Sequence, residues 1–168
     1  MSMKILVTGS TGYIGKRLIP ILINEGHHVV CAVRDKLRAD KTYIDDENIT
    51  IIEADFLKFE TLKNIPKDID VAYYLIHSMS NASRDFESLE SKCAENFKNY
   101  FENSNVKQVI YLSGITNEEN LSKHLQSRKN VEDILKSSKI FSKIIGTLTS
   151  KLIFLKLIFF NESKVKFI

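Results

Sequence analysis

Lys4-Ile5-Leu6-Val7-Thr8-Gly9-Ser10-Thr11-Gly12-Tyr13-Ile14-Gly15 is the stretch that decides the fold of this chain. A short apolar, partly β-branched run stops at a glycine. Ile14, Leu18, Ile19, Leu22 and Ile23 then follow at helical spacing. The first glycine permits a tight turn after a strand, and the second removes a Cβ that would collide with an incoming phosphate. The third lets the helix pack closely on the strand. The free N–H groups at the helix start, and its dipole, then face anionic oxygen. Three glycines alone say little. Between a strand run and an amphipathic helix, they predict a pyrophosphate cradle and hence a dinucleotide.

Outward from that turn the pattern alternates. Strands are predicted at residues 4–8, 28–33, 49–53, 70–76 and 108–113. Helices are predicted at 13–24, 59–64, 85–103 and 125–137. Pro20 deletes one backbone donor inside the first helix, and Gly26 marks its stop. In the helix at 85–103, Phe86, Leu89, Cys93, Phe97 and Phe101 form one apolar stripe. Strands separated by helices imply an α/β fold, a Rossmann-like doubly wound parallel sheet with helices on both faces.

The 168 residues are enough for one domain with a real core, and the composition, 43% hydrophobic and 27% charged, is globular. The net charge of +3 misleads. Residues 141–168 hold five lysines against one acid, Glu162, so residues 1–140 carry −1. That balance argues against a nucleic-acid partner. The first predicted strand begins almost at Met1, and no apolar run has the length of a bilayer span. A cytoplasmic protein without a signal peptide or membrane partner is expected. Cys31 and Cys93 read as buried, reduced thiols, and no histidine–carboxylate cluster has metal-ligand spacing.

The turn at residues 8–15, Val33-Arg34-Asp35, Glu53-Ala54-Asp55-Phe56, residues 70–79, Tyr111-Leu112-Ser113-Gly114 and Leu121-Ser122-Lys123-His124-Leu125-Gln126-Ser127-Arg128 together carry a family resemblance. Over roughly residues 3–140 the chain resembles an atypical member of the short-chain dehydrogenase/reductase superfamily. It is similar to NAD(P)-binding proteins of the NAD-dependent epimerase/dehydratase or NmrA-like kind. The resemblance implies that Gly9, Ser10, Thr11, Gly12, Tyr13, Ile14 and Gly15 form the pyrophosphate turn. It also implies that Asp55 and Phe56 flank the adenine, and that Leu75 and Ile76 touch the adenosine ribose. The second strand ends in Arg34, whose guanidinium suits a 2′-phosphate, so NADP(H) is favoured. Asp35 follows at once and keeps NAD(H) open.

Catalytic members of the superfamily use Tyr-x-x-x-Lys with a Ser or Thr. Ser113 matches the serine, but His124 and Arg128 stand where the tyrosine and lysine belong. Four residues apart, the two would share a helix face. A histidine can do acid–base work, whereas an arginine holds anions or ribose and does not shuttle protons. The plain alternative makes His124 a helix cap and Arg128 a solvated residue. His77 lies past the fourth strand, either meeting substrate or nicotinamide or serving only as a loop residue. His27 and His28 form a turn with no assigned chemistry.

After about Ile140 the family pattern fades. Residues 152–160 are nearly all Leu, Ile and Phe, broken by Lys156. The expectation is a dinucleotide-binding domain at 1–140 and an atypical tail at 141–168, which is either frameshifted sequence or a partial sixth strand. Two functions stay open. One is an enzyme by ancestry, an oxidoreductase or epimerase acting on an unknown small molecule, with Ser113, His124 and Arg128 at its site. The other is a non-catalytic dinucleotide sensor or an inactive fragment. A homo-oligomer also remains open.

Overall fold

The computed structural model describes residues 2–39, 43, 46–77, 86–113, 122–138 and 141–146. Six strands, β1 (Lys4–Val7), β2 (His28–Val33), β3 (Ile49–Glu53), β4 (Val71–Tyr74), β5 (Gln108–Ser113) and β6 (Phe141–Gly146), form one sheet in the order β3-β2-β1-β4-β5-β6. Every pairing is parallel. Because the chain steps outward from β1 in both directions, the carboxyl ends of β1 and β4 border the crevice where such sheets bind ligands. The head of the atypical tail fills the sixth-strand position, with a register irregularity opposite Val109 and Ile110.

Alternate residues on each strand point to opposite faces. Ile5 and Val7 pack with Leu18, Ile19 and Leu22 of α1 (Tyr13–Asn24). Leu6, Ala72 and Tyr74 pack on the other face with α2 (Phe86–Phe101) and α3 (Lys123–Lys136). Helices therefore cover both faces, as the alternation predicts. At the centre of the second layer is Phe97, whose ring meets Tyr74 at 4.9 Å, Phe101 at 4.6 Å and Phe56 at 5.8 Å. Fully burying such a side chain contributes roughly 1.5–3 kcal/mol.

α1 runs unbroken through Pro20. Proline leaves the carbonyl of Lys16 without its helical donor, and the Tyr43 hydroxyl donates to that carbonyl at 3.4 Å. Gly26, at φ +80°, ends the helix, with its N–H on Ile23 O and that of His27 on Leu22 O.

Two elements differ from expectation. β4 spans Val71–Tyr74 rather than residues 70–76, and beyond its end Leu75 N leaves the ladder for the Thr8 hydroxyl. α2 buries Glu90, Cys93, Ala94, Phe97 and Phe101, so Glu90 takes the inward place expected for Leu89, which is exposed.

Candidate functional site

The glycine turn is tied to both neighbouring strands. Thr8 N–H and its hydroxyl each donate to Tyr73 O at 3.0 Å, and the hydroxyl accepts from Leu75 N at 2.9 Å. Gly9 lies at φ +64°, and a Cβ there would sit 2.6 Å from Leu75 O. A Cβ on Gly15 would lie 2.5 Å from Gly9 O, so the third glycine admits the helix onto the turn itself. Ser10 is buried, and its hydroxyl donates to Ala32 O at 3.1 Å, pinning the turn to β2.

Two cavities of ≈ 360 and ≈ 330 Å³ open at the carboxyl ends of the strands. They share Gly9, Gly12, Leu75, Ile76 and His77 as a common waist. Thr11, Arg34, Asp55 and Phe56 line the first. Tyr13, Ile14, Gly15 and Arg128 line the second, with Tyr74, Tyr111 and Leu112. Every residue expected at the dinucleotide thus lines the cleft except Ser10, whose hydroxyl serves the sheet.

Arg34 is exposed and makes no hydrogen bond or ion pair among the described residues. Asp35 uses its carboxylate locally, accepting from Leu37 N at 2.9 Å as the cap of a short 3-10 turn, Lys36–Arg38. Asp55 likewise accepts from Leu57 N at 3.0 Å.

The three residues expected at the chemistry do not converge. Ser113 is 1% exposed, and its hydroxyl donates to the Glu132 carboxylate. His124 is exposed, its ring lies 5.1 Å from that of Phe86, and it lines neither cavity. Ser122, not His124, caps α3 through Leu125 N. Arg128 does reach the second cavity, but it donates to Leu112 O at 3.3 Å while its own carbonyl accepts from Tyr111 Oη. Burial pushes the phenols of Tyr73, Tyr74 and Tyr111 up, so all three stay protonated and none replaces a tyrosine of lowered pKa. Tyr74 Oη is buried without a hydrogen-bond partner among the described residues. Burial also raises Cys93, beside the first cavity, to about 11, which keeps it a thiol.

One polar cluster escaped the sequence reading. Glu90, 4% exposed, meets His77 Nδ1 at 2.8 Å with one carboxylate oxygen and accepts from the Ser127 hydroxyl with the other. The available signal was the helical stripe 90, 93, 94, 97 and 101, which contains a glutamate.

A family model described as NAD(P)H-binding matches residues 9–152, running through β6. Auxiliary protein GraX of Staphylococcus aureus is 31% identical over 118 residues, covering 68% of this chain and 37% of GraX. Photosystem II assembly factor Ycf39 of Synechocystis is 25% identical over 111 residues, covering 66% of this chain and 33% of that protein. The chain spans about a third of the length of these curated relatives. Among solved structures, the Bordetella bronchiseptica enzyme WbmH in complex with NAD+ aligns with a TM-score of 0.69 at 16% identity. That alignment covers 87% of this chain and 56% of WbmH, a likeness of fold.

Proposed function

The chain belongs to the NAD(P)H-binding family, and on that premise we propose that its cleft takes NADP(H) in preference to NAD(H). The adenosine half lies in the cavity lined by Arg34, Asp55 and Phe56, and the nicotinamide half in the one lined by Tyr13, Tyr111 and Arg128. One observation carries the preference. Arg34 stands exposed and unpaired among the described residues at the end of β2, while the Asp35 carboxylate is turned to Leu37 N. A free guanidinium grips a 2′-phosphate through paired N–H donors. A carboxylate already used as a cap is poorly placed to accept from ribose hydroxyls.

The cofactor supplies hydride chemistry when bound, but the side chains around the nicotinamide half favour binding over turnover. Ser113 is bonded to Glu132, the His124 ring lies 5.1 Å from that of Phe86, and burial pushes up the phenols of Tyr74 and Tyr111 that line the cavity. We therefore read the unit as a dinucleotide-binding module descended from oxidoreductase or epimerase-like enzymes, acting as a sensor. We take the unit to include β6, a reading supported by a family match and a strand pairing that both pass residue 140. Among the described residues no helix is long and apolar enough to cross a membrane.

The test is a titration of the protein with NADPH and NADH, followed by thermal stability. A ligand that binds only the folded state raises its apparent stability by mass action. Saturable stabilisation at lower NADPH than NADH concentration supports the reading, and equal or reversed concentrations reject the preference. Steady oxidation of NADPH with simple aldehydes or ketones would reject the sensor.

A further inference from the structure

The geometry points to His77 as a side-chain ligand of the dinucleotide pyrophosphate, held in place by the buried carboxylate of Glu90. The inference rests on the reading that the cleft binds a dinucleotide.

His77 lies just past β4 and is one of the few residues that line both cavities. A dinucleotide spanning the two halves must pass this waist, and the part of the ligand at the waist is its pyrophosphate. Gly9 and Gly12 of the phosphate turn line the same waist. His77 is thus the imidazole nearest that path among the described residues that line either cavity.

Its environment is built. A buried carboxylate is costly unless it is paired and hydrogen-bonded. Glu90 is met from two elements, by Ser127 on α3 and by His77 Nδ1 at 2.8 Å. This orients the ring. With the imidazole protonated, both nitrogens are donors: Nδ1–H serves Glu90, and Nε2–H is left for a ligand oxygen. No second partner of the ring exists among the described residues, and its side chain stays 22% exposed. As with other histidines held by a carboxylate, the partner on Nδ1 fixes the orientation of the ring. It also explains why α2 buries a glutamate where Leu89 would otherwise have faced inward. Glu90 is the positioning residue, and His77 touches the ligand.

The experiment compares two probes on the intact chain. NADPH carries the pyrophosphate, whereas adenosine 2′-phosphate keeps the adenine, ribose and 2′-phosphate but lacks it. His77→Asn retains a donor near the Nδ1 position and loses Nε2. It should weaken NADPH about 10- to 100-fold, the scale of one charge-assisted hydrogen bond, and leave adenosine 2′-phosphate unchanged. Glu90→Gln should weaken NADPH in the same selective way, though less. Because either variant can fail to fold, the wild-type His77 ring-nitrogen NMR signals provide an independent readout. Nε2 should shift with NADPH and stay still with adenosine 2′-phosphate. Equal loss of both probes, no loss of either, or an unmoved Nε2 signal overturns the assignment while leaving dinucleotide binding intact. Failure of the wild type to bind any NADPH overturns both.

Discussion

The two halves of the cleft are built from the same kind of strand end, but they leave their side chains in different states. In the proposed adenosine half, Arg34 is exposed and unpaired among the described residues, and Phe56 is a packed apolar wall. In the proposed nicotinamide half, Arg128 is bonded to Leu112 O and Tyr111 to Arg128 O, and Ser113 at the end of β5 is bonded to Glu132. The first leaves a guanidinium available, while the second uses several polar groups to join β5 to α3.

The comparison breaks most completely at the waist that both halves share. Gly9→Ala forces a side chain into φ +64° and within 2.6 Å of Leu75 O. A loss of about 3 kcal/mol in stability is expected, and NADPH binding should disappear with it. Chemical denaturation and the NADPH titration check both. Arg34→Ala sharpens the contrast. It should weaken NADPH about 10- to 100-fold and NADH hardly at all, a difference that calorimetry resolves. Ser113→Ala is the opposite case. It removes a buried bond to a carboxylate, so roughly 1.5 kcal/mol of stability should go while NADPH affinity stays within twofold.

A control lies at the far end of the sheet. The Asp70 carboxylate is held below the usual range, first by Lys107 and then by Lys4 N–H. Its folded pKa is depressed, so its stabilisation is present above the unfolded value and is lost as pH falls through the folded one. Asp70→Asn should cost about 1 kcal/mol at neutral pH. The gap from wild type should close in acid, as denaturation curves across pH would reveal, and both halves of the cleft should be affected alike. The smallest effect is expected at His124. Exposed against Phe86, it should change stability by less than about 0.5 kcal/mol on substitution by Ala, with NADPH affinity unmoved. A large loss there would return the nicotinamide half to catalysis.

The legible parts of this molecule are local. Gly9 to Gly15 between Val7 and Leu18, the β-branched run ending at Val33 and the stop at Gly26 all lie within a few residues of what they determine. The strands and helices they mark were found nearly to the residue. The place of Arg34 and Asp55 on the cleft wall is legible because a strand end fixes the positions of the one or two residues after it. What stayed hidden depends on contacts between distant segments. Nothing local to Glu90 marks it as buried; its partner Ser127 lies 37 residues later, on the facing helix. Ser113 matched its family position by spacing, yet no spacing reveals that Glu132 occupies its hydroxyl. Thr8 looked like the last residue of a strand, although its side chain replaces that strand.

Thr8 also has a mechanical meaning. A single hydroxyl donates to Tyr73 and accepts from Leu75, so the phosphate turn and the segment leading to His77 are riveted at one point. The carboxyl ends of β1 and β4 are thereby fastened to each other directly beneath the waist.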